Sequence, residues 1–202
     1  PGLPAGNGGG VRIFRNDVFA NNTQNFAPPG NIVGTVPTGT GIMVMAADNV
    51  EVFENDIRDN DTGNIVVVSY LITERPIKDP TFDPFPEGVS IHNNTIAGGG
   101  ENPGGTFGML LSQALPMPLA DILYDGIANP ERPMAPNEIL CINDNGDATF
   151  ANFKATDMTM AKIARGQYQP SFDLAPHGGV SESLAPIELA AFPDPAQGSS
   201  DA

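Results

Sequence analysis

Two aspartates and an arginine have the residue types and the spacing of a small reaction centre. Asp17 and Asp56 occupy equivalent positions in two copies of one sequence pattern, VRIFRNDVFAN (11–21) and VEVFENDIRDN (50–60). On adjacent strands their carboxylates would lie about 4.8 Å apart, and they would repel unless one carried a proton or a cation lay between them. Retaining glycosidases hold two carboxylates about 5–5.5 Å apart, so Asp17, Asp56 and the nearby Arg58 are the candidate catalytic residues. A solvated acidic surface is the alternative.

Acidic turns in the chain are candidate sites for a hard cation. Asp59 and Asp61 lie in the turn DNDTGN (59–64), and DNGD (144–147) has a similar composition. Carboxylate and amide oxygens are the ligands that Ca²⁺ prefers, although neither turn has the full spacing of an EF-hand loop or a nonapeptide repeat. Asp, Asn and Gly are also ordinary turn residues. Calcium is therefore a candidate cofactor, with Asp59 and Asp61 as its candidate ligands.

Other charged side chains are candidates for binding a polysaccharide. A lyase acting on an acidic polysaccharide needs a cation near the substrate carboxylate and a base that takes the α-proton. Arg75 and Lys78 on a long loop offer positive charge, and Glu51 and Glu54 face outward in the repeated pattern. The nine basic residues are scattered along the chain, so these four residues are candidates for binding and do not form a catalytic motif.

Two histidines and the single cysteine have less specific surroundings. His92 falls at the position that Phe14 and Phe53 occupy in the other copies, which predicts an aromatic row. His177 lies in a Pro- and Gly-rich segment and is expected to be incidental. Cys141 has no histidine in its own motif to activate it as a nucleophile.

A repeated pattern predicts the elements that would position these side chains. The third copy is VSIHNNTIAGG (89–99), and a weaker fourth copy lies in EILCINDNGDATF (138–150), where Asp147 replaces an aliphatic residue. Alternating apolar residues predict short strands that face a shared core. Equivalent asparagines predict a hydrogen-bonded ladder at an inward bend; they are Asn16, Asn55, Asn94 and Asn145. The apolar rows are Val11/Val50/Val89, Ile13/Val52/Ile91 and Val18/Ile57/Ile96.

The spacing of the strands predicts an all-β parallel β-helix, that is, a solenoid of about four coils. The segment that begins GIMVMA at Gly41 spans 22 residues before GNIVVVSYLI begins at Gly63. FGMLLS (107–112) is the predicted third copy of the same strand. Three short strands per coil imply that each strand pairs with its equivalent in the next coil.

The chain divides into four predicted regions. Residues 1–10 form an irregular lead-in, and 11–153 form the β-helix. Residues 154–192 form a C-terminal cap or strap, and 193–202 form a disordered tail. Long loops interrupt the β-helix at 22–40, 70–88 and 113–137, and in the last of these only LADILYDGI has the pattern of a short helix.

The composition argues against nucleic acid and membranes as partners. The net charge of −15 comes from 24 acidic and nine basic residues, which argues against binding to nucleic acid or to an anionic membrane surface. No apolar run reaches the 18 residues of a membrane span. Cys141 cannot form an intrachain disulfide because it is the only cysteine.

The repeats resemble those of the right-handed parallel β-helix repeat proteins of the pectin-lyase-like group. That group contains pectate lyases, polygalacturonases and alginate epimerases, and exported β-helix repeat proteins of unknown function are the most similar. The resemblance covers about residues 11–153. It implies a right-handed coil, export to the periplasm or the cell exterior, and carbohydrate substrates. Enzymes of the group cluster their basic residues on one face, and this sequence does not.

These observations favour an exported module that presents its long loops to a polysaccharide or a protein partner. One alternative is an enzyme, a lyase or hydrolase acting on an acidic polysaccharide. Another is assembly, in which the strand edges of the first coil stack on another chain or on a missing N-terminal part of a precursor.

Overall fold

The computed structural model describes residues 8–28, 30–180 and 183–185. Most of the predicted lead-in, part of the predicted strap and the whole predicted tail (193–202) lie outside the described residues. The described chain is rich in strands, and all three of its sheets are parallel. No helix among the described residues is long and apolar enough to cross a membrane.

Strands recur in a fixed order along the chain, and we call each recurrence a repeat. Repeat 1 contains β1 (Gly8–Phe14), β2 (Asp17–Phe19) and β3 (Thr40–Met45). Repeat 2 contains β4 (Ala47–Phe53), β5 (Asp56–Arg58) and β6 (Gly63–Val68). Repeat 3 contains β7 (Val89–His92), β8 (Thr95–Ala97) and β9 (Ile122–Tyr124), and repeat 4 contains β10 (Leu140–Asn143) and β11 (Phe150–Asn152).

Equivalent strands pair with one another to form the three sheets. Sheet 1 has the order β1-β4-β7-β10, sheet 2 the order β11-β9-β6-β3, and sheet 3 the order β2-β5-β8. Each of the first three repeats therefore passes through sheet 1, then sheet 3, then sheet 2. β1 takes in Gly8–Gly10 from the predicted lead-in, because Gly8 and Gly9 pair with Ala47 and Asp48.

Register in sheets 1 and 3 is the one that the aligned copies predict. Ile13 pairs with Val52, and Val52 pairs with Ile91. In sheet 2, however, Ile42 pairs with Ile65, one residue out of step with the spacing from Gly41 to Gly63. Register follows burial of apolar side chains on the core face, and glycine has no side chain to fix it.

The predicted third strand of repeat 3 was wrong. FGMLLS lies in helix α1 (Gly105–Ala114), and β9 comes from LADILYDGI, which was predicted to be helical. Phe107, Leu111 and Leu115 recur every four residues, so they lie on one face of a helix. They pack in a cluster on the outer face of sheet 2.

Sheet 2 lies between two hydrophobic cores. The inner core takes its side chains from the strands of all three sheets. The outer core lies between sheet 2 and α1, and it includes Leu123, Phe153 and Tyr168. Strand β6 is buried at all six residues because each of its faces contacts one core.

The predicted asparagine ladder is present at the bend between sheets 1 and 3. Its members are Asn16, Asn55, Asn94 and Asn145. The side-chain Nδ2 of each of the first three donates to Oδ1 of the next at 2.9 Å, and the backbone N–H donates to the same atom at 3.1 Å. The residue before each asparagine has a φ between 51° and 55°, which is the left-handed conformation that turns the chain inward.

A second, shorter ladder lies at the bend between sheets 3 and 2. Oδ1 of Asn60 accepts from the backbone N–H and the Nδ2 of Asn21, and Nδ2 of Asn60 donates to Asn64. Gly99 lies at the equivalent position in repeat 3. Its φ is +103°, and an added Cβ would lie 2.6 Å from the carbonyl oxygen of Asn60, so this position requires glycine.

The C-terminal end of the sheets is covered by the chain that follows β11. Ser171 forms an antiparallel bridge to Asn152. His177 is buried, donates through Nδ1 to the carbonyl oxygen of Leu140 at 3.0 Å, and packs against Phe150. This histidine is therefore part of the end cap and is not incidental. The remaining helices are short: α2 (Pro136–Ile139), α3 (Met160–Ala164), and 3-10 helices at Ile32–Thr35, Tyr70–Thr73 and Ala175–His177.

Candidate functional site

The three candidate catalytic residues form an exposed ion cluster on sheet 3. Asp17 and Asp56 pair across adjacent strands, as predicted. Nη1 of Arg58 contacts Oδ1 of Asp17 and lies 3.1 Å from Oδ1 of Asp56, while its guanidinium lies over the ring of Phe19. A hydrogen bond to Asp17, outweighing partial desolvation, raises the pKa of Arg58. The positive charge between the two carboxylates is thus supplied by the chain itself.

Glu51 is placed differently from the prediction. It lies on the outer face of sheet 1, yet it is only 3% exposed. Its carboxylate accepts from Nε of Arg12 at 2.9 Å and contacts Nε2 of His92 at 3.1 Å. Burial alone raises the pKa of Glu51, but hydrogen bonds from His92 and Ser183 and the charge of Arg12 outweigh burial and lower it. Because the carboxylate is ionised and can only accept, His92 donates through Nε2.

The Glu51–His92 pair does not extend to a nucleophile. Nδ1 of His92 lies 3.0 Å from Oδ1 of Asn93. Ser90 is adjacent to Glu51 in the sheet, but its buried Oγ has no hydrogen-bond partner within the described structure. Cys141 accepts from Nδ2 of Asn143 at 3.1 Å. The serine, histidine and glutamate therefore do not form the relay that activates a serine hydrolase.

Three further candidates, Glu54, Arg75 and Lys78, lie apart from one another. Glu54 pairs with Arg15 at 2.7 Å on the exposed bend. Arg75 donates to two backbone carbonyl oxygens of the first long loop, Gly30 at 3.1 Å and Asn31 at 3.3 Å. Lys78 is exposed on the second long loop and makes no ion pair with any residue that the structure describes. The predicted binding residues are therefore not brought together.

The candidate calcium ligands occupy a turn between sheets 3 and 2. Asp59 has a φ of 58°, and Asp61 donates its backbone N–H to Oδ1 of Asn22 at 3.0 Å. In the described ranges, no group of three or more His, Cys, Asp or Glu side chains is arranged to hold a metal ion. Calcium binding at Asp59 and Asp61 stays a prediction.

Arginines join the long loops into one surface, which we call the loop layer and define as residues 22–28, 30–39, 69–88 and 125–135. Arg75 joins the first loop to the second, as described above. Arg132 joins the second loop to the third, because its Nη2 lies 2.8 Å from Oδ2 of Asp83 and also contacts Glu87. The loops therefore do not project separately.

A cavity of about 410 Å³ lies within this layer, between residues 81–85 and 129–131. We call it the loop cleft. Two half-buried aromatic side chains, Phe82 and Phe85, line it together with the polar side chains of Asp83, Asn129 and Glu131. Phe82 is held by an edge-to-face contact with Tyr70, whose ring lies 5.3 Å away. Aromatic rings beside carboxylate and amide oxygens match the apolar faces and the hydroxyl groups of sugars.

Asp125 anchors the base of the loop layer, and sequence reasoning missed it. Its side chain is fully buried and accepts from the backbone N–H groups of Ser69 at 2.6 Å and Ile127 at 3.0 Å. Burial, partly offset by these hydrogen bonds, raises the pKa of Asp125 to about 7. An acidic residue directly after the apolar run ILY was the signal that could have marked it.

Comparison with protein-family models, curated proteins and solved structures found no match to this chain. The resemblance to the pectin-lyase-like group therefore rests on the repeated sequence pattern. The structure shows a strand-rich chain with three parallel sheets and hydrogen-bonded asparagines.

Proposed function

We propose that this protein is a binding module that holds a glycan in the loop cleft without cleaving it. The observation that carries the proposal is the composition of the cleft, in which Phe82 and Phe85 lie beside Asp83, Asn129 and Glu131. Sugars bind in such sites by packing a C–H face on an aromatic ring and by exchanging hydrogen bonds with planar polar groups.

A parallel β-helix is the scaffold that we infer for this module. Three parallel sheets visited in one order, with asparagines stacked at the bend, are what a solenoid requires. The right-handed coil, the pectin-lyase-like family and export to the periplasm or the cell exterior belong to the same proposal, and their support is the resemblance of the repeats.

The negative charge of the cleft and of the whole chain limits which class of glycan can bind. Two carboxylates, Asp83 and Glu131, line the cleft, and Arg132 already pairs with Asp83 and Glu87. The whole chain carries a net charge of −15, so an acidic polysaccharide would approach against repulsion. We therefore propose a neutral or amino-sugar polymer as the ligand.

A glycan array tests this proposal. Wild-type protein is expected to bind neutral or amino-sugar glycans, and Phe82→Ala is expected to lose that binding. Phe26→Ala is the matched control, because Phe26 lies in the loop layer outside the cleft and is 91% exposed. Equal loss in both variants, or binding confined to uronate glycans, would overturn the proposal. Capture of a protein with no glycan bound would identify the alternative, a protein partner.

A polysaccharide-active enzyme is the second candidate, since Asp17, Asp56 and Arg58 do form one cluster. It would release reducing ends or unsaturated ends from uronate polymers, with or without added calcium. Cleavage by wild type that disappears in the double variant Asp56→Ala, Arg58→Ala would support the enzyme. Absence of products under all these conditions agrees with a binding module.

A further inference from the structure

We infer that the outer face of sheet 1 holds a second binding site, for an uncharged hydroxyl-bearing ligand the size of one sugar ring. The site is a cavity of about 290 Å³ between sheet 1 and the C-terminal segment near Gly179. We call it the strap cavity. It lies away from the loop cleft, and none of its lining residues is shared with that cleft.

Ser90 is the residue that points to a ligand. It is 5% exposed, and its Oγ has no hydrogen-bond partner among the described residues. Buried hydroxyl groups in folded proteins are almost always hydrogen-bonded, since an unpaired one destabilises the fold. Ser90 lines the strap cavity, so a group that enters the cavity can supply the missing partner.

The covering segment is fixed to the sheet by specific contacts. The backbone N–H of Gly179 donates to Oδ1 of Asn143 at 3.2 Å, and its carbonyl oxygen lies 3.7 Å from the sulfur of Cys141. Both side chains extend from β10, next to Ser90 and His92 on β7. The cavity is therefore bounded by the sheet on one side and by an attached segment on the other.

The charges at the cavity favour an uncharged ligand. Glu51, which lies beside Ser90, is already paired with Arg12 at 2.9 Å and contacts His92 at 3.1 Å. The buried carboxylate thus needs no cation from a ligand, and it would repel an anion. Asp144 lies at the cavity and is exposed, where water and salt screen its charge.

Hydroxyl groups fit the polar groups that remain. The hydroxyl of Ser90 both donates and accepts, the carboxylate of Asp144 accepts, and the amide of Asn93 offers both donors and an acceptor. A sugar hydroxyl also donates and accepts, so it can pair with each of them. The volume is close to the lower end of the range of about 300–1,000 Å³ for ligand pockets, which limits the ligand to about one ring.

Chemical-shift mapping with D-glucose, D-galactose, D-mannose and D-glucuronate tests the inference. At least one neutral sugar is expected to give saturable shifts of the His92 and Asn143 side-chain signals, with weaker shifts from glucuronate. Ser90→Ala is expected to weaken the affinity about tenfold, because it removes one hydrogen bond. It should keep the melting temperature of the wild type or raise it.

Ser112→Ala serves as the matched control, because Ser112 lies on α1 and bonds only to its own helix at Met109. Phe82→Ala should also leave the shifts unchanged, which separates this site from the loop cleft. The inference is overturned if no neutral sugar shifts the His92 signal, if Ser90→Ala binds like the wild type, or if glucuronate binds best.

Discussion

Asn55 donates its side-chain Nδ2 to Oδ1 of Asn94 at 2.9 Å, and both side chains are buried. Asn55 also accepts from Asn16 and donates to the carbonyl oxygens of Ile13 and Phe53. One amide therefore joins three repeats, and it satisfies backbone groups that the bend removes from the sheets.

Replacing Asn55 with alanine should lower the free energy of unfolding by about 3 kcal/mol or more, since each buried polar group left unpaired costs about 1–3 kcal/mol. Urea denaturation measures this change. Asn16→Ala is the control, because Asn16 is exposed at the end of the ladder and should lose clearly less. Equal losses of unfolding free energy in the two variants would contradict the claim that the buried part of the ladder stabilises the fold more than its exposed end.

Asp125 predicts a specific dependence of stability on pH. Its folded-state pKa of about 7 lies above the ordinary value of 3.8, so the folded protein holds this proton more tightly than the unfolded chain. The stabilisation that the proton gives is complete below about pH 4 and is lost as the pH rises to about 7.

Asp125→Asn should remove this loss of stability with pH, because an amide stays neutral at every pH. Its single oxygen can accept only one of the two backbone hydrogen bonds that Oδ1 and Oδ2 of Asp125 accept, so the variant is less stable by an amount that does not change with pH. The difference in unfolding free energy between wild type and variant should therefore shift in favour of the variant between pH 4 and pH 7. Urea denaturation at each pH isolates Asp125 from other titrating groups. A difference that stays constant with pH would show that this carboxyl is not buried as described.

Arg58 keeps two like charges together on sheet 3. Arg58→Gln leaves Asp17 and Asp56 facing each other, so it should lower the melting temperature at low salt and have less effect at high salt. Adding Asp56→Asn to this variant should recover most of the lost melting temperature, because it removes one of the two like charges. Lys78→Gln is the control for removal of one positive charge, and an equal effect from it would reject the specific role of Arg58.

Strand β1 lies at the edge of sheet 1 in the described part of the chain, and its unpaired edge predicts self-association of the protein. Val11 lies in an apolar row of the core, yet it is 41% exposed, and its partner Val50 is 3% exposed. Among the described residues, no strand pairs with the outer edge of β1. We expect sedimentation to show concentration-dependent association that Val11→Lys weakens, because a charged edge resists pairing. A strictly monomeric wild type would reject this expectation.

Sheets 1 and 3 could be predicted from the sequence, because alternation places Val50, Val52 and Ile57 on one face. Sheet 2 was predicted only in part. Strands β3 and β6 largely coincide with the predicted strands GIMVMA and GNIVVVSYLI, but β9 was missed and the register was one residue out of step, since both faces of β6 are buried and its valines run without alternation. Helix α1 was predicted as a strand because FGMLLS is as apolar as the strands GIMVMA and NIVVVS, and the helical spacing of Phe107, Leu111 and Leu115 was given less weight than that similarity.

Candidate sites were harder to predict than strands because their partners are distant in sequence. The pairing of Asp17 with Asp56 followed from the repeat, but the position of Arg58 between them depends on side-chain direction. Glu51 was expected to be exposed, but it is buried and hydrogen-bonds to His92 and Ser183, which are distant from it in the sequence. The loop cleft combines two loops whose residues share no motif.

The central claim, glycan binding in the loop cleft, is tested most directly by calorimetric titration with an oligosaccharide that the array identifies. Phe82→Ala should weaken binding about tenfold or more through the lost aromatic contact, and Glu131→Gln, an exposed change with little effect on folding, should weaken it less. Phe26→Ala and the double variant Asp56→Ala, Arg58→Ala should bind like the wild type. Unchanged binding in both cleft variants, together with loss in the Asp56, Arg58 variant, would contradict the claim.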